Sequence, residues 1–204
     1  MVEKSFSIPE FEVYFDYLCP FVYNASLWLR NVEEALNEPL PVVWRYFSLE
    51  QVNSTLKEGQ RVWDPDLGME TKGIKAFRAS EAVRKQGEDT FLSFHRLLLN
   101  ARRVEFREIW SPEVLEDVAV KAGADREAYL RDYNDPSILD KLEDDYSHAV
   151  DELNIFGTPT FVFQGSKPVY LKLASSDLGD NLQFFRDFLH IAVNRPDVWE
   201  IKRA

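Results

Sequence analysis

An α/β fold is predicted by three observations. Strand-like segments lie toward both ends of the 204-residue chain, a helical segment directly follows the first of them, and the middle of the chain reads as helix throughout. In Phe11 to Tyr17, the residues Phe11, Val13, Phe15 and Tyr17 alternate with Glu12, Tyr14 and Asp16. The run is rich in aromatics, which marks a strand. Leu18-Cys19-Pro20 breaks the alternation. From Phe21 to Leu36 apolar residues recur at helical spacing, and Pro20 suits the first turn, where its missing N–H is no loss. Glu38-Pro39-Leu40-Pro41 is a turn, and Val42 to Leu49 is a second strand. A parallel pair with a right-handed crossover is the expected arrangement.

Gln51 to Gly68 is polar and irregular, a loop long enough to carry function. Helical periodicity returns over Thr71 to Gln86 and Glu88 to Arg103. Ser111-Pro112-Glu113 opens a helix ending near Gly123, with Ser as N-cap and Pro in first position. Asp125 to Tyr133 forms a short helix. Asp135-Pro136 opens another, with an apolar face including Ile138, Leu142, Tyr146, Ala149 and Leu153. Thr160 to Gln164 and Val169 to Leu173 are strands joined by the turn Gly165-Ser166-Lys167-Pro168. Ser176-Asp177 caps a last helix reaching about Val193. Residues 1–51 and 148–204 then form one discontinuous domain, and 52–147 a helical insertion.

Composition narrows the function. Acidic residues outnumber basic ones 35 to 24, for a net charge of −11. Such a surface repels phosphate backbones and anionic lipid, so neither nucleic acid nor a membrane is an expected partner. No apolar run is long enough to cross a bilayer. Met1 to Glu10 lacks a basic stretch followed by an apolar one, so no secretory leader is expected. The chain has one cysteine, which excludes an intrachain disulfide and fits a cytoplasmic location. No His/Cys/Asp spacing points to a metal site.

Cys19 is the candidate reactive atom. A free cysteine alone is usually a small buried hydrophobe. This one stands between a strand and a helix start, where unpaired N–H groups and the helix dipole favour a thiolate, the nucleophilic form. Asp16 nearby acts the other way. The second signal is Phe156-Gly157-Thr158-Pro159-Thr160 before a strand. An X–Pro bond goes cis cheaply, and a proline at a strand's first residue costs no ladder bond.

Together these segments resemble the DsbA family of thioredoxin-like folds. Phe15-Asp16-Tyr17-Leu18-Cys19-Pro20-Phe21 looks like that family's first strand and active-site start, and Gly157-Thr158-Pro159-Thr160 like its cis-proline loop. The resemblance covers nearly the whole chain. It is greatest to the branch of 2-hydroxychromene-2-carboxylate isomerases, kappa-class glutathione transferases, mycothiol-dependent nitroreductases and FrnE-type proteins. It implies a thioredoxin-like domain carrying an all-helical insertion, with Pro159 facing Cys19.

One departure matters. The family's redox motif is Cys-x-x-Cys, and here it reads Cys19-Pro20-Phe21-Val22. With Val22 in place of a resolving thiol, a mixed disulfide on Cys19 needs an external thiol to release it. The isomerase and kappa branch also lacks the dithiol. It has a serine at the position of Cys19, followed by proline and an aromatic residue as in Pro20-Phe21. By that resemblance Ser176-Asp177 would hold the γ-glutamyl end of glutathione at a helix start. The backbone of Thr158 would pair with the tripeptide's cysteinyl backbone.

The expectation is therefore a single-cysteine thiol oxidoreductase with no permanently bound cofactor, using glutathione or another low-molecular-weight thiol as cosubstrate. Its other partner is a small electrophile, and the relatives imply a homodimer. A glutathione-dependent isomerase or transferase, or a non-catalytic thiol- or peptide-binding protein, are the alternatives. Catalysis falls to Cys19. Substrate contact falls to Pro20, Phe21, Val22, Thr158, Pro159, Ser176 and Asp177. His95 is read as a surface or partly buried helix residue, with a base facing the cleft as the alternative. Asp144-Asp145 is read as a solvated face. Arg102, Arg103 and Arg107 are read as an ion-paired surface, and Trp63 as a better cleft residue than Trp44 or Trp110.

Overall fold

A computed structural model describes residues 8–67 and 71–201. The first residues of the Met1 to Glu10 reading, and Gly68 at the end of the expected loop, lie outside them. Among the described residues four strands form one sheet in the order β2-β1-β3-β4. They are β1 (Phe11–Phe15), β2 (Val42–Tyr46), β3 (Thr160–Phe163) and β4 (Val169–Tyr170). β1 runs parallel to β2, joined through α1 (Pro20–Leu36), and antiparallel to β3, which pairs antiparallel with β4. Gly165, at φ +77°, lets the β3–β4 turn close with Ser166 N–H donating to the Phe163 carbonyl at 3.0 Å.

β1 is central in the sheet, and packing elements cover both of its faces. On one face Phe11 packs on Phe163 and Phe185, and Trp28 of α1 meets Phe161 of β3 and Phe184, Phe185 and Phe188 of the last helix. On the other, Tyr14 is buried with Phe47, Tyr146, Ala149 and Ile155. This is why a strand expected to alternate leaves only Glu12 partly exposed. Glu12 meets Arg45 of β2 at 2.7 Å.

The stretch between β2 and β3 is helical, as its periodicity predicts. It holds α2 (Leu49–Val52), α3 (Lys72–Arg84), α4 (Glu88–Arg103), α5 (Pro112–Lys121), α6 (Arg126–Tyr133) and α7 (Asp140–Ser147), with short 3-10 turns at Pro65–Leu67 and Pro136–Leu139. A π turn over His148–Glu152 follows α7. α3 lies inside the block against α4, α5 and α6. Its small residues Gly73, Ala76, Ala79, Ser80 and Ala82 are all buried, which lets those helices approach. Among the described residues no helix is long and apolar enough to cross a membrane.

Three expectations change. The last helix, α8 (Asn181–Asn194), begins later than Ser176-Asp177, and Asp180 is its cap, accepting from Gln183 N–H at 2.9 Å. Gly179, at φ +79°, turns the chain between the two candidate caps, so the earlier one cannot lead into the helix. The segment after β2 is helical at its start, because Ser48 caps α2. Asp145 is not on a solvated face. It is buried, accepts from Tyr46 N–H at 3.0 Å and pairs with Arg45 and Lys141, whereas Asp144 is exposed.

Candidate active site around Cys19

Cys19 occupies the cap position of α1, in extended backbone, with Pro20 opening the helix. The turn that delivers it is fixed by Asp16. The Asp16 carbonyl accepts from Cys19 N–H at 3.1 Å. Its side chain, fully buried, accepts from Leu18 N–H at 2.8 Å and from Leu49 N–H at 2.7 Å. Burial pushes this carboxyl up from 3.8 to about 7, against the pull of those two donors. The helical block closes on the same turn. Glu50 accepts from Gly73 N–H at 2.9 Å and from the Thr71 hydroxyl at the start of α3. A Cβ on Gly73 would stand 2.7 Å from the Glu50 carboxylate and 3.5 Å from Leu18, so only glycine permits this approach.

Across from Cys19 runs the loop before β3. The Thr158–Pro159 peptide is cis. The Cys19 thiol donates to the Thr158 carbonyl at 3.2 Å. The loop is held by the Thr160 hydroxyl donating to the Gly157 carbonyl at 2.7 Å, and by Leu171 N–H donating to the Pro159 carbonyl at 3.2 Å. Thr158 Oγ1 is buried without a hydrogen-bond partner among the described residues. Cys19 itself is 4% exposed.

The rim is aromatic and cationic. Lys172 places its ammonium 5.0 Å from the Phe21 ring and 5.2 Å from the Tyr170 ring. Tyr170 packs on Phe156, which is 66% exposed. A hydrogen bond with Tyr170 and its charge, then the charge of Cys19, push the Lys172 ammonium's pKa up. Lys172 escapes a reading of the sequence because its place depends on register. Thr160 pairs with Tyr170, so Tyr170 and the residue two along reach back toward the loop before β3.

The structure thus brings together Cys19, Phe21, Thr158 and Pro159, with Pro20 exposed at the helix start. It does not bring in the other three expected contacts. Val22 is wholly buried in the main core. After Lys172 the chain runs down the side of α1, with Asn24 donating to the Leu173 carbonyl at 2.7 Å and Asn31 to the Ser176 carbonyl at 3.1 Å. By the rise of an α-helix, Asn31 stands about 18 Å farther along the axis than Cys19. Ser176 and Asp177 therefore lie away from the sulfur.

The remaining expectations resolve in the same way. His95 is neither on the surface nor at this cleft. It is 1% exposed, amid Phe15, Tyr17, Trp44 and Phe91. Trp63 packs on Tyr146 and donates to Glu143 at 2.7 Å. Arg107 is ion-paired with Asp117 at 2.7 Å, and Arg102 lies over Trp110.

The pattern of the DSBA-like thioredoxin domain matches residues 10–189. An uncharacterized protein of Mycobacterium tuberculosis, Rv2286c, is 24% identical over 155 residues, which are 76% of this chain and 64% of that protein. Among solved structures, a probable DsbA oxidoreductase of Streptomyces coelicolor superposes with a TM-score of 0.66 at 18% identity, covering 96% of this chain and 93% of the other. The cytosolic disulfide reductase DsbM of Pseudomonas aeruginosa, solved with GSH, gives 0.58 at 19% identity over 89% and 97%. A 2-hydroxychromene-2-carboxylate isomerase gives 0.61 at 19% identity over 93% and 99%.

Proposed function

The chain belongs to the DSBA-like thioredoxin domain family, and from that membership we propose that it is a thiol-dependent oxidoreductase in which Cys19 works without a resolving partner. The observation that carries this reading is the thiol at the head of α1, 3.2 Å from the carbonyl before the cis peptide bond. The Cys19 thiolate attacks one sulfur of a small disulfide, forming a Cys19–S–S–R bond and expelling the other half as a thiolate. A second low-molecular-weight thiolate then attacks the sulfur that bears R, expelling the Cys19 thiolate and releasing a new disulfide. Both steps conserve electrons, and neither needs a second cysteine. The GSH in the DsbM structure supports glutathione as one such thiol. A cytoplasmic setting, the division into 1–51 with 148–204 and 52–147, and pairing of two copies belong to the same reading.

The aromatic and cationic rim supports an anionic substrate. Glutathione disulfide carries carboxylates that Lys172 attracts, while Phe21, Tyr170 and Phe156 offer ring faces to an aromatic group.

One observation favours a second reading. Cys19 is 4% exposed, as an inert thiol would be, and a scaffold with such a thiol captures ligands at the Thr158 backbone without turnover. Intact mass spectrometry separates the two. After incubation with the disulfides of glutathione, mycothiol and bacillithiol in turn, the oxidoreductase gains one adduct, which added thiol removes. Cys19→Ala gains none. No adduct with any of the three, from a protein that still binds glutathione, sinks the oxidoreductase and leaves the binding scaffold.

A further inference from the structure

A cleft of about 470 Å³ opens between the second half of α1, the start of β2 and α4. It lies toward the far end of α1 from Cys19, beside Glu33, Glu34 and Asn37. Apolar Leu29, Val42, Trp44 and Leu92 line it, and so does His95. Neither ring nitrogen of His95 has a hydrogen-bond partner among the described residues, although both are buried. Burial, then Arg84 and Arg96, hold the imidazole well below the usual histidine range, so it is neutral and offers one donor and one acceptor. Leaving such a ring unpaired costs on the order of 1–3 kcal/mol, and a phenylalanine would fill this aromatic nest without that cost.

The rim adds a second constraint. Its cations are already engaged, Arg30 with Glu34 at 3.0 Å and Arg96 with Glu33 at 2.9 Å. Glu33 also accepts from Leu40 N–H at 3.1 Å, and Glu38 adds a further negative charge. Among the described residues that line the cleft, no cation is left free for an anion. The Trp44 ring, 4.3 Å from the imidazole, gives a flat apolar wall.

From the unpaired imidazole at a cleft with apolar walls and ion-paired rim cations, we propose that this cleft is a second ligand site, taking a small uncharged aromatic molecule that bears a hydroxyl or amide. The ring lies along Trp44 and Leu92, and its polar group pairs with His95 as the ligand displaces the side chains that cover the buried imidazole. The site is independent of the Cys19 reading and stands or falls without it.

The probe is 4-hydroxybenzamide, with benzoate as the anionic comparator, followed by ligand-observed NMR and calorimetry. Wild type binds 4-hydroxybenzamide saturably and benzoate at least tenfold more weakly. His95→Phe weakens the amide by about tenfold or more, the loss of one to two buried hydrogen bonds. Leu92→Trp, which fills the cleft from its wall, abolishes binding and serves if His95→Phe does not fold. Protein alkylated at Cys19 binds as wild type does. Absent binding, equal binding of benzoate, unchanged affinity in either variant, or loss of binding on alkylation of Cys19 overturns the proposal.

Discussion

The thiol of Cys19 and the carbonyl of Thr158 meet at 3.2 Å, joining the start of the first helix to a loop from the far end of the chain. The contact is possible because β1 and β3 are neighbours in the sheet, so the residues following one strand and preceding the other emerge side by side. It puts the reactive group against a peptide carbonyl at a sheet end, where an extended ligand can pair with backbone.

Val22→Cys tests the missing second thiol. Position 22 lies one turn into α1 and is buried, and valine to cysteine is a small change in volume that costs under about 1.5 kcal/mol. The variant should form an intrachain disulfide with Cys19 and expel a glutathionyl adduct unaided. Mass spectrometry after adduct formation, with no added thiol, reads the release. An adduct as persistent as in wild type contradicts the assigned role of Val22.

Lys172→Met tests the rim. Its exposed ammonium attracts anionic disulfides, an effect that solvent keeps small. The adduct rate with glutathione disulfide should fall about threefold at low salt, with a smaller gap in high salt. A salt-independent change would place Lys172 in packing instead.

Asp16 makes stability depend on pH. Its folded-state value of about 7 lies above the unfolded 3.8, so the folded chain binds the extra proton between those values. Stability from this group is highest below about pH 4 and declines as pH rises to about 7, by on the order of 4 kcal/mol in all. Denaturant melts at pH 5, 6, 7 and 8 should show the decline. Asp16→Asn should flatten it, although the amide cannot accept from both Leu18 and Leu49 and lowers the overall level. An unaltered slope in Asp16→Asn assigns the pH dependence to other groups.

His95→Phe should raise the unfolding free energy by about 1–3 kcal/mol by removing two nitrogens that have no partner among the described residues from an aromatic nest. Urea melts at pH 7 measure it. A loss of stability would show that the imidazole has partners when the protein is in water.

Gly73→Ala should destabilise by about 1–3 kcal/mol, because the new methyl displaces the Glu50 carboxylate from Gly73 N–H and the Thr71 hydroxyl. Retained stability, read by the same melts, would mean Glu50 finds another rotamer at no cost.

By itself the sequence determined the α/β class, the order of the main elements and the single cysteine at a strand-to-helix junction; that Pro159 faces it was implied only by the family resemblance. These are properties of local pattern: alternation in Phe11–Phe15, helical spacing after Pro20, and turn residues around Gly165. Tertiary structure decided the rest. Ser176-Asp177 and Asp180 are both N-cap residue types, and the choice between them depended on the turn at Gly179 and the path of the chain along Asn24 and Asn31. Asp145 and His95 have polar side chains and look solvated in a linear reading. They are buried because β2 and the aromatic core happen to pack over them. Lys172 reaches Phe21 through the register of β4, and register is fixed by pairing between residues far apart in the chain, which no local spacing encodes.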